Sequence, residues 1–341
     1  MTTQDAKVWV VLVNWNGWQD SIECLESLFR QHHGRFTAVV CDNDSSDGSV
    51  EQIRRWAAGE QAWTPPVGPL AGLTTPPLPK PLPHAVIDDP ASYVPGEDSP
   101  PLLIVRTGGN LGFAGGNNVG IRLALRDPGC DFVWLLNNDT VVPPDCLTQM
   151  LATAQADPKV GITGPTVAFY RDPDVIQALG GGSFSRYTAS GRLLCGGKRR
   201  SALSAQDERQ ARERLHWVSG ASMLASRAFL EKVGEMEERY FLYFEEIDWA
   251  LRSEREFRPG LATGAVVYHK AGSSTGEQTE STFSVYTMCR ARVKLYRKFM
   301  PFLLPAVYLR AAKEVAQALL RGQKARADAI WRASRDEIMQ S

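Results

Sequence analysis

Residues 8–17 read VWVVLVNWNG, an uninterrupted apolar run rich in β-branched side chains that ends in polar residues. Such a run is typical of a strand buried on both faces of a parallel sheet. Residues 20–31 carry apolar side chains at helical spacing, and residues 37–41 predict a second strand that ends at Asp42. A turn-rich segment then leads into a helix predicted at 49–58. This order of strand and helix predicts an open α/β fold.

The same alternation continues through most of the chain. The pattern predicts strands at 101–106, 132–136, 160–165 and 264–269, and helices at 118–126, 144–156 and 306–338. Segments 216–226 and 241–252 are also expected to be ordered, whereas 170–215 is expected to form loops with hairpins.

Residues 60–101 interrupt this alternation. They hold 12 of the 21 prolines and show no helical or strand period. We therefore expect an irregular surface insertion there.

Charge and cysteine usage exclude several classes of protein. The 341 residues carry 38 basic and 38 acidic side chains, which argues against a globally basic nucleic-acid-binding protein. Residues 290–341 hold 12 Lys or Arg against 4 Asp or Glu, which is either a solvated helical face or a surface that contacts anionic lipid. Six cysteines without a CxxC pair, and an N-terminus without signal-peptide features, predict a cytoplasmic protein. The late apolar stretch 299–309 is too short to span a bilayer.

Polar clusters follow three of the predicted strands. In open α/β sheets, ligands bind at the carboxyl ends of the strands, so these clusters predict a nucleotide pocket with an aromatic ring to stack on the base. Asp139 next to side-chain amides suits a hard cation, although a turn or N-cap role is an alternative. The clusters are Asn14, Trp15 and Asn16; Asp42, Asn43 and Asp44; and Asn137, Asn138 and Asp139.

The segment 108–120, GGNLGFAGGNNVG, contains neither GxGxxG nor a P-loop motif. Its glycines either bring backbone N–H groups to a phosphate or allow tight packing of the following helix. The sequence leaves both interpretations open.

Three acids lie close together among aromatic residues in the segment 241–252, FLYFEEIDWALR. If the segment is helical, Glu245 and Asp248 share a face. Apolar rings beside a carboxylate raise its proton affinity, which suits a general base near neutral pH, and a solvated acidic face is the alternative. His269 ends a predicted strand, where it is either a metal ligand or a structural residue.

Taken together, these segments resemble the inverting glycosyltransferase family two, and most nearly its bacterial rhamnosyltransferase-like members. Seven segments carry the resemblance in family order across residues 8 to 275, and 60–101 and the region beyond 290 lie outside it. They are VVLVNWNG, VVCDNDSSDGS, GGNLGFAGGNNVGI, FVWLLNNDTVVPPD, GASMLASRAFLEKVG, FLYFEEIDWALR and AVVYHKAGSS.

The resemblance implies a GT-A fold, which is an open, mostly parallel sheet flanked by helices. A Rossmann-like nucleotide-binding half is joined to an acceptor half, and together they are expected to span residues 1–285. Residues 286–341 are expected to form a basic helical C-terminal extension.

The resemblance also implies roles for individual residues. Trp15 corresponds to the aromatic that stacks on the nucleobase, beside Asn14, and Asp42 to a carboxylate that contacts base or ribose. Asp139 corresponds to the metal-binding acid of the family's DxD motif, His269 to a histidine that completes the metal site, and Glu246 to the catalytic base. The donor-binding positions are Asn110, Gly112, Gly116, Asn117, Asn137 and Asn138.

Two positions depart from the family pattern. Asn137 replaces the first acid of DxD, and the family's Glu-Asp pair is here Glu245–Glu246. The choice of base among Glu245, Glu246 and Asp248 therefore stays open.

The function that these features predict is an inverting, metal-assisted hexosyltransferase that uses Mg²⁺ or Mn²⁺. By resemblance, the donor is dTDP-rhamnose, with uridine diphosphate sugars next. The acceptor is expected to be a hydroxyl of a cell-surface glycan or its lipid-linked precursor, met at the inner face of the membrane through peripheral contact by the extension. The alternatives are a sugar-phosphate nucleotidyltransferase and a non-catalytic nucleotide-sugar binding module.

Overall fold

The structure is a computed structural model that describes residues 5–188, 190–270 and 281–339. Within these ranges, ten strands form one mixed, mostly parallel sheet in the order β3-β4-β2-β1-β5-β12-β7-β13-β6, with β8 on β7, and three strands form a smaller sheet, β10-β9-β11. The strands are β1 Val8–Asn14, β2 Phe36–Asp42, β3 His84–Ile87, β4 Leu102–Arg106, β5 Phe132–Leu136, β6 Thr140–Val141, β7 Val160–Phe169, β8 Ile176–Leu179, β9 Gly181–Ser185, β10 Ser190–Leu193, β11 Trp217–Val218, β12 Ser222–Ser226 and β13 Arg258–His269.

Helices cover the large sheet and form the C-terminal end of the chain. They are α1 Trp18–Leu28, α2 Ser49–Ala58, α3 Gly112–Arg126, α4 Cys146–Gln155, α5 Ala205–Arg214, α6 Arg227–Val233, α7 Glu245–Ser253, α8 Thr282–Phe299, α9 Leu304–Leu320 and α10 Lys324–Met339. No helix in the described ranges is long and apolar enough to cross a bilayer.

The N-terminal half confirms the predicted α/β alternation. β1 pairs in parallel with β2 on one side and β5 on the other, and its backbone is buried at nearly every position. The apolar run at 8–13 is continuous because both of its faces are covered, one by α1 and the other by α3. The predicted mostly parallel sheet with flanking helices is therefore confirmed.

The proline-rich insertion is more ordered than the sequence indicated. Residues 84–87 form β3, which adds a parallel edge strand to β4. Leu78, Leu82 and Val86 pack against the main core, and Lys80 lies over the ring of buried Trp56. The prediction of an entirely irregular loop was wrong, because a four-residue edge strand is too short to show a period.

Three further elements differ from the prediction. α3 starts at Gly112 rather than 118, so much of the glycine-rich segment is helical. The region 170–215, expected to be loops and hairpins, includes α5, whose N-terminus carries a capping box formed by Ser204 and Asp207. The predicted single helix 306–338 is two helices, since Gly322 adopts a left-handed φ of 71° between α9 and α10.

The predicted boundary between residues 285 and 286 falls inside α8. α8 packs against both α9 and α10, and Phe283 in its first turn lines the cavity described next. The C-terminal helices are thus continuous with the wall of that cavity.

Candidate active site

A cavity of about 670 Å³ opens at the carboxyl ends of the central parallel strands. Seven of the residues predicted from the sequence line it: Trp15, Asn110, Gly112, Asn137, Asn138, Asp139 and His269. A volume of this size accommodates a ligand as large as a nucleotide sugar. We call this space the donor cavity.

The three polar strand ends meet at the floor of the donor cavity through Asn14. Its side-chain N–H₂ group donates to Asp42 Oδ2 at 2.8 Å, and its oxygen accepts from Ser21 Oγ at 2.8 Å and from Asn138 Nδ2 at 3.3 Å. Because β2, β1 and β5 are adjacent and parallel, residues that end these strands are brought together by the register alone. The predicted convergence of the strand ends is therefore confirmed.

Four predicted donor-binding residues do not line the donor cavity but lie directly beneath its floor and walls: Asn14, Asp42, Gly116 and Asn117. Asp42 is buried, and its carboxylate accepts from Asn14 and from the Ser45 backbone N–H at 3.1 Å. Gly116 lies within α3, where a Cβ would come within 2.9 Å of Val13 Cγ1. Asn117, which is also buried, donates to the carbonyl of Phe113 one turn earlier. These contacts, with those of Asn14, support the strand ends and the packing of α3.

Trp15 follows Asn14 in the sequence, and its side chain lies at the edge of the donor cavity. Its side chain lines the donor cavity and is 47% exposed. A large exposed aromatic ring at a cavity rim is suited to stacking on a planar base. Trp15 thus lines the donor cavity with an exposed ring, and its role in stacking on a base stays a prediction.

The N-terminus of α3 and the segment 241–244 close one side of the donor cavity together. Gly112 has a φ of 71°, and a Cβ there would lie 2.4 Å from the carbonyl oxygen of Phe241. The same oxygen accepts from Phe113 N–H at 2.8 Å. Only glycine fits this contact, so at Gly112 the glycine-rich segment serves close packing beside the cavity.

Asp139 and His269 lie together on the opposite wall. β6 pairs with β13 so that His269 is opposite Thr140, which places His269 Nε2 3.1 Å from Asp139 Oδ1. His269 Nδ1 lies 2.8 Å from Gln177 Oε1, so an Nδ1–H that donates to Gln177 leaves the Nε2 lone pair directed at Asp139. Asn137 Nδ2 is 3.4 Å from the same Nε2.

This donor set fits a divalent cation. A carboxylate oxygen and an imidazole nitrogen face each other, and the other ring nitrogen is held by an amide, as is common for metal-binding histidines. In the described ranges, no group of three or more His, Cys, Asp or Glu side chains could hold a metal. A cation bound by Asp139 and His269 would keep further coordination positions, which phosphate oxygens could occupy.

Glu246 is linked to the wall that carries Asp139 and His269 through a short turn of backbone, residues 220–221. Its carboxylate accepts from the backbone N–H of Gly220, where a Cβ would lie 2.3 Å from Glu246 Oε1. The next residue, Ala221, accepts at its carbonyl from Asn137 N–H at 3.0 Å. The turn 220–221 therefore connects Glu246 directly to the strand end that carries Asp139.

The neighbouring carboxyls have unusual proton affinities. Burial raises the pKa of Glu246 to about 7, against hydrogen bonds from its own backbone N–H and from Gly220 that lower it. Burial, and then repulsion from Glu246, raise the pKa of Glu245 well above its usual value. Among the described residues, Glu245 Oε2 has no hydrogen-bond partner. Glu246 is thus a carboxyl that can take up a proton near neutral pH.

Asp248 is the third acid considered as a base, and both of its carboxylate oxygens accept hydrogen bonds from other side chains. It is buried and accepts from Tyr240 Oη at 3.0 Å, Arg252 Nε at 2.7 Å and Lys298 Nζ at 2.7 Å. Both oxygens of this carboxylate are therefore already engaged by side chains of the protein. These contacts assign Asp248 to the anchoring of α7 against α8.

Glu246 also lines a second cavity, of about 480 Å³, between α7 and the sheet. Its walls are mainly apolar and aromatic, including Phe184, Trp217, Phe229 and Leu251. Only residues 244 and 245 separate Glu246 from Tyr243, which lines the donor cavity. Glu246 therefore lines the second cavity and lies close in sequence to the wall of the donor cavity.

Sequence reasoning missed Gln177 and Phe283, which also line the donor cavity. Gln177 belongs to β8 in the region expected to be loops, and Phe283 belongs to α8 beyond the segments that carry the resemblance. No local pattern marks either residue as part of a site. The last four residues of the seventh segment, 271–274, lie outside the described residues.

Comparison with known proteins places this geometry in a family context. A sequence model described as Glycosyl transferase family 2 matches residues 9–66 and 88–231, and the gap between them falls inside the proline-rich insertion. The N-acetylglucosaminyl-diphospho-decaprenol L-rhamnosyltransferase of Mycobacterium tuberculosis is 26% identical over 208 residues, which are 55% of this chain and 64% of that protein. The low-salt glycan biosynthesis hexosyltransferase Agl10 of Haloferax volcanii is 26% identical over 152 residues, 45% of this chain and 46% of that protein. The chain thus spans less than two thirds of the length of each of these curated relatives.

Solved structures with the same architecture include two glycosyltransferases. The mannosyltransferase PcManGT from Pyrobaculum calidifontis, in complex with GDP-Man and Mn²⁺, has a TM-score of 0.52 at 15% identity and covers 98% of this chain and 88% of its own. GalNAc-T7 with UDP, GalNAc and Mn²⁺ has a TM-score of 0.58 at 13% identity and covers 95% and 54%. At these identities the likeness establishes the fold, which is of the GT-A type.

Proposed function

The chain belongs to glycosyl transferase family 2, and on that premise we propose that it moves a hexosyl group from a nucleotide diphosphate sugar to an acceptor hydroxyl with inversion. The observation that carries the proposal is the turn 220–221, which joins Glu246 to the strand end bearing Asp139. A group that can accept a proton is thereby held beside a wall suited to diphosphate.

The residues divide the work of this reaction. Trp15 stacks on the base. Asp139 and His269 would hold a cation, either Mg²⁺ or Mn²⁺, which would supply positive charge to neutralise the diphosphate. Glu246 takes the proton of the acceptor hydroxyl. At the same time the oxygen of that hydroxyl attacks the anomeric carbon from the side opposite the diphosphate. The bond from that carbon to the diphosphate oxygen breaks, and the nucleoside diphosphate leaves.

For the donor we propose dTDP-rhamnose, on the strength of the mycobacterial relative named as an L-rhamnosyltransferase. The name of that relative also supports a lipid-linked glycan as acceptor. The apolar second cavity beside Glu246 is consistent with an acceptor that carries a non-polar portion.

Peripheral contact with the inner face of the membrane is part of the proposal. α9 and α10 expose the large apolar side chains of Leu309, Leu320 and Trp331 on a chain segment with excess basic charge. Exposed apolar side chains beside cations favour contact with an anionic bilayer. Replacement of Leu320 and Trp331 by serine should reduce cosedimentation with phosphatidylglycerol vesicles, and equal cosedimentation would refute this contact.

The function is tested by incubating the purified protein with dTDP-rhamnose or uridine diphosphate sugars and Mn²⁺ or Mg²⁺. Transfer of the sugar to water or to an added acceptor, with release of the nucleoside diphosphate, is the expected result, together with a raised melting temperature in the presence of donor and metal. Release of inorganic diphosphate from a nucleoside triphosphate and a sugar phosphate would instead indicate a nucleotidyltransferase. Donor binding without any turnover would indicate a binding module.

A further inference from the structure

A third cavity, of about 600 Å³, lies where α8, α10 and the turn 237–240 meet, away from the donor cavity. Four cationic side chains and two carboxylates line it, together with Tyr240. The charged residues are Arg239, Lys294, Arg297, Lys298, Glu237 and Glu337. Nothing in the proposed transfer reaction uses this cavity.

The cations are concentrated on one face of α8. Arg290, Lys294, Arg297 and Lys298 are spaced by four, three and one residues, which places them on adjacent turns of the same side of the helix. Like charges at this spacing repel each other and destabilise a helix. A compensating negative charge is therefore expected nearby.

The protein supplies part of that compensation. The Glu337 carboxylate pairs with Arg290 at 2.7 Å and with Arg297 at 3.2 Å. The Glu237 carboxylate pairs with Arg239 at 2.7 Å and with Lys298 at 3.1 Å. Each carboxylate is thus shared between two cations.

Lys294 is left out of this pairing. Its ammonium donates to the backbone carbonyl of Arg239 at 2.6 Å, and within the described part of the chain it makes no ion pair. Burial, and then the nearby Arg290 guanidinium, lower the pKa of Lys294. Among the described residues, the Lys294 ammonium is thus in direct contact with a carbonyl oxygen and with no carboxylate, and Glu337 and Glu237 act on it only at longer range.

We propose that this cavity binds a phosphate-bearing anion, with Lys294 and the guanidinium groups of Arg239 and Arg297 as its ligands. The Lys294 ammonium would supply a point charge to a phosphate oxygen. Arg239 and Arg297 are paired with Glu237 and Glu337, and they would contact the phosphate through N–H groups other than those in these pairs. The phosphate is either that of a soluble phosphate or diphosphate or that of a phospholipid headgroup. The site is separate from the donor cavity and does not depend on the proposed transfer reaction.

The test follows the Lys294 ammonium directly. Lysines of the full-length protein are reductively methylated with ¹³C, which keeps their charge, and the Lys294 resonance is assigned by its loss in Lys294→Gln. Inorganic diphosphate is added with a chelator, so that binding through a cation in the donor cavity is suppressed. Vesicles of phosphatidylglycerol, with phosphatidylcholine as the neutral control, form the second arm.

A shift of the Lys294 resonance on addition of diphosphate is expected, together with about tenfold weaker binding by Lys294→Gln, since a charge-assisted hydrogen bond is lost. Lys313→Gln, the same change at an exposed position of α9, should bind as the unmodified protein does. A response to phosphatidylglycerol vesicles but not to diphosphate assigns the site to a lipid headgroup. A Lys294 resonance that responds to neither ligand, or equal weakening by both variants, overturns the proposal.

Discussion

The floor of the donor cavity and the start of α7 differ in how their buried polar groups are hydrogen-bonded. At the floor, Asn14 is fully buried and its amide is hydrogen-bonded on both the donor and acceptor sides. At the start of α7, Phe241, Tyr243 and Phe244 all adopt left-handed φ angles, and the buried Glu245 Oε2 lacks a partner within the described chain. Non-glycine residues in that conformation are strained, and such strain is concentrated at functional sites.

Under the proposed function, this difference separates the region that binds the donor from the region that transfers the proton. A floor of mutually satisfied polar groups on parallel strands is rigid and holds a ligand in one orientation. Carboxyls kept away from water beside apolar rings retain a high proton affinity instead. The ion pairs of buried Asp248 with Arg252 and Lys298 anchor α7 and offset the cost of its strained start.

Among the variants that test this difference, Glu246→Gln is expected to have the largest effect. The amide cannot accept the acceptor's proton, so turnover should fall by about a thousandfold, within the range of general-base catalysis. Donor affinity, measured by calorimetry, should stay unchanged because the donor cavity is intact. Glu256→Gln, at an exposed glutamate, serves as the control for lost charge. Turnover close to that of the unmodified protein would assign the base elsewhere.

Asp139→Ala should affect the donor cavity rather than the start of α7. Removal of this carboxylate leaves His269 alone on the cation, and we expect about a hundredfold loss of metal-dependent donor affinity with little change when a chelator is present. Asp145→Ala, an exposed aspartate in the same segment, should bind donor normally. Equal donor affinity of the Asp139 variant with and without Mn²⁺ would contradict the metal assignment.

Trp15→Ala sharpens the description of the donor cavity with a smaller effect. Loss of one aromatic ring that stacks on a base should weaken nucleoside diphosphate binding about tenfold, without a change in the pH dependence of turnover. Trp331→Ala, at an exposed tryptophan of α10, is the matched control. A Trp15 variant that binds as tightly as the control variant would place the base elsewhere in the cavity.

The two regions also differ in how much the sequence could predict. Parallel strands end together, so the run at 8–13 and the polar residues after it were enough to predict the floor. Gln177 reaches His269 only through the pairing of β8 with β7, and nothing in its local sequence indicates that contact. On a helical pattern Asp248 shares a face with Glu245 and stayed a candidate base, but Lys298 from α8, distant in sequence, pairs with its carboxylate.

The glycine positions also show which contacts the local sequence cannot predict. The segment 108–120 suggested either a phosphate loop or tight packing, and the structure shows tight packing at Gly112 and Gly116. The partners that require glycine there, the Phe241 carbonyl and Val13, are distant along the chain. Sequence pattern identifies a special backbone position, whereas its cause lies in tertiary contacts.

The pH dependence of the single-turnover rate, measured with donor and metal saturating, tests the role of Glu246 most directly. Burial raises the pKa of Glu246 to about 7, and only the deprotonated carboxylate can act as base. The rate should therefore rise with pH through neutrality and level off above about pH 8, and the rise should disappear in Glu246→Gln. A rate that is constant between about pH 5.5 and 8.5, or that falls as pH rises, would contradict the assignment of Glu246 as the base.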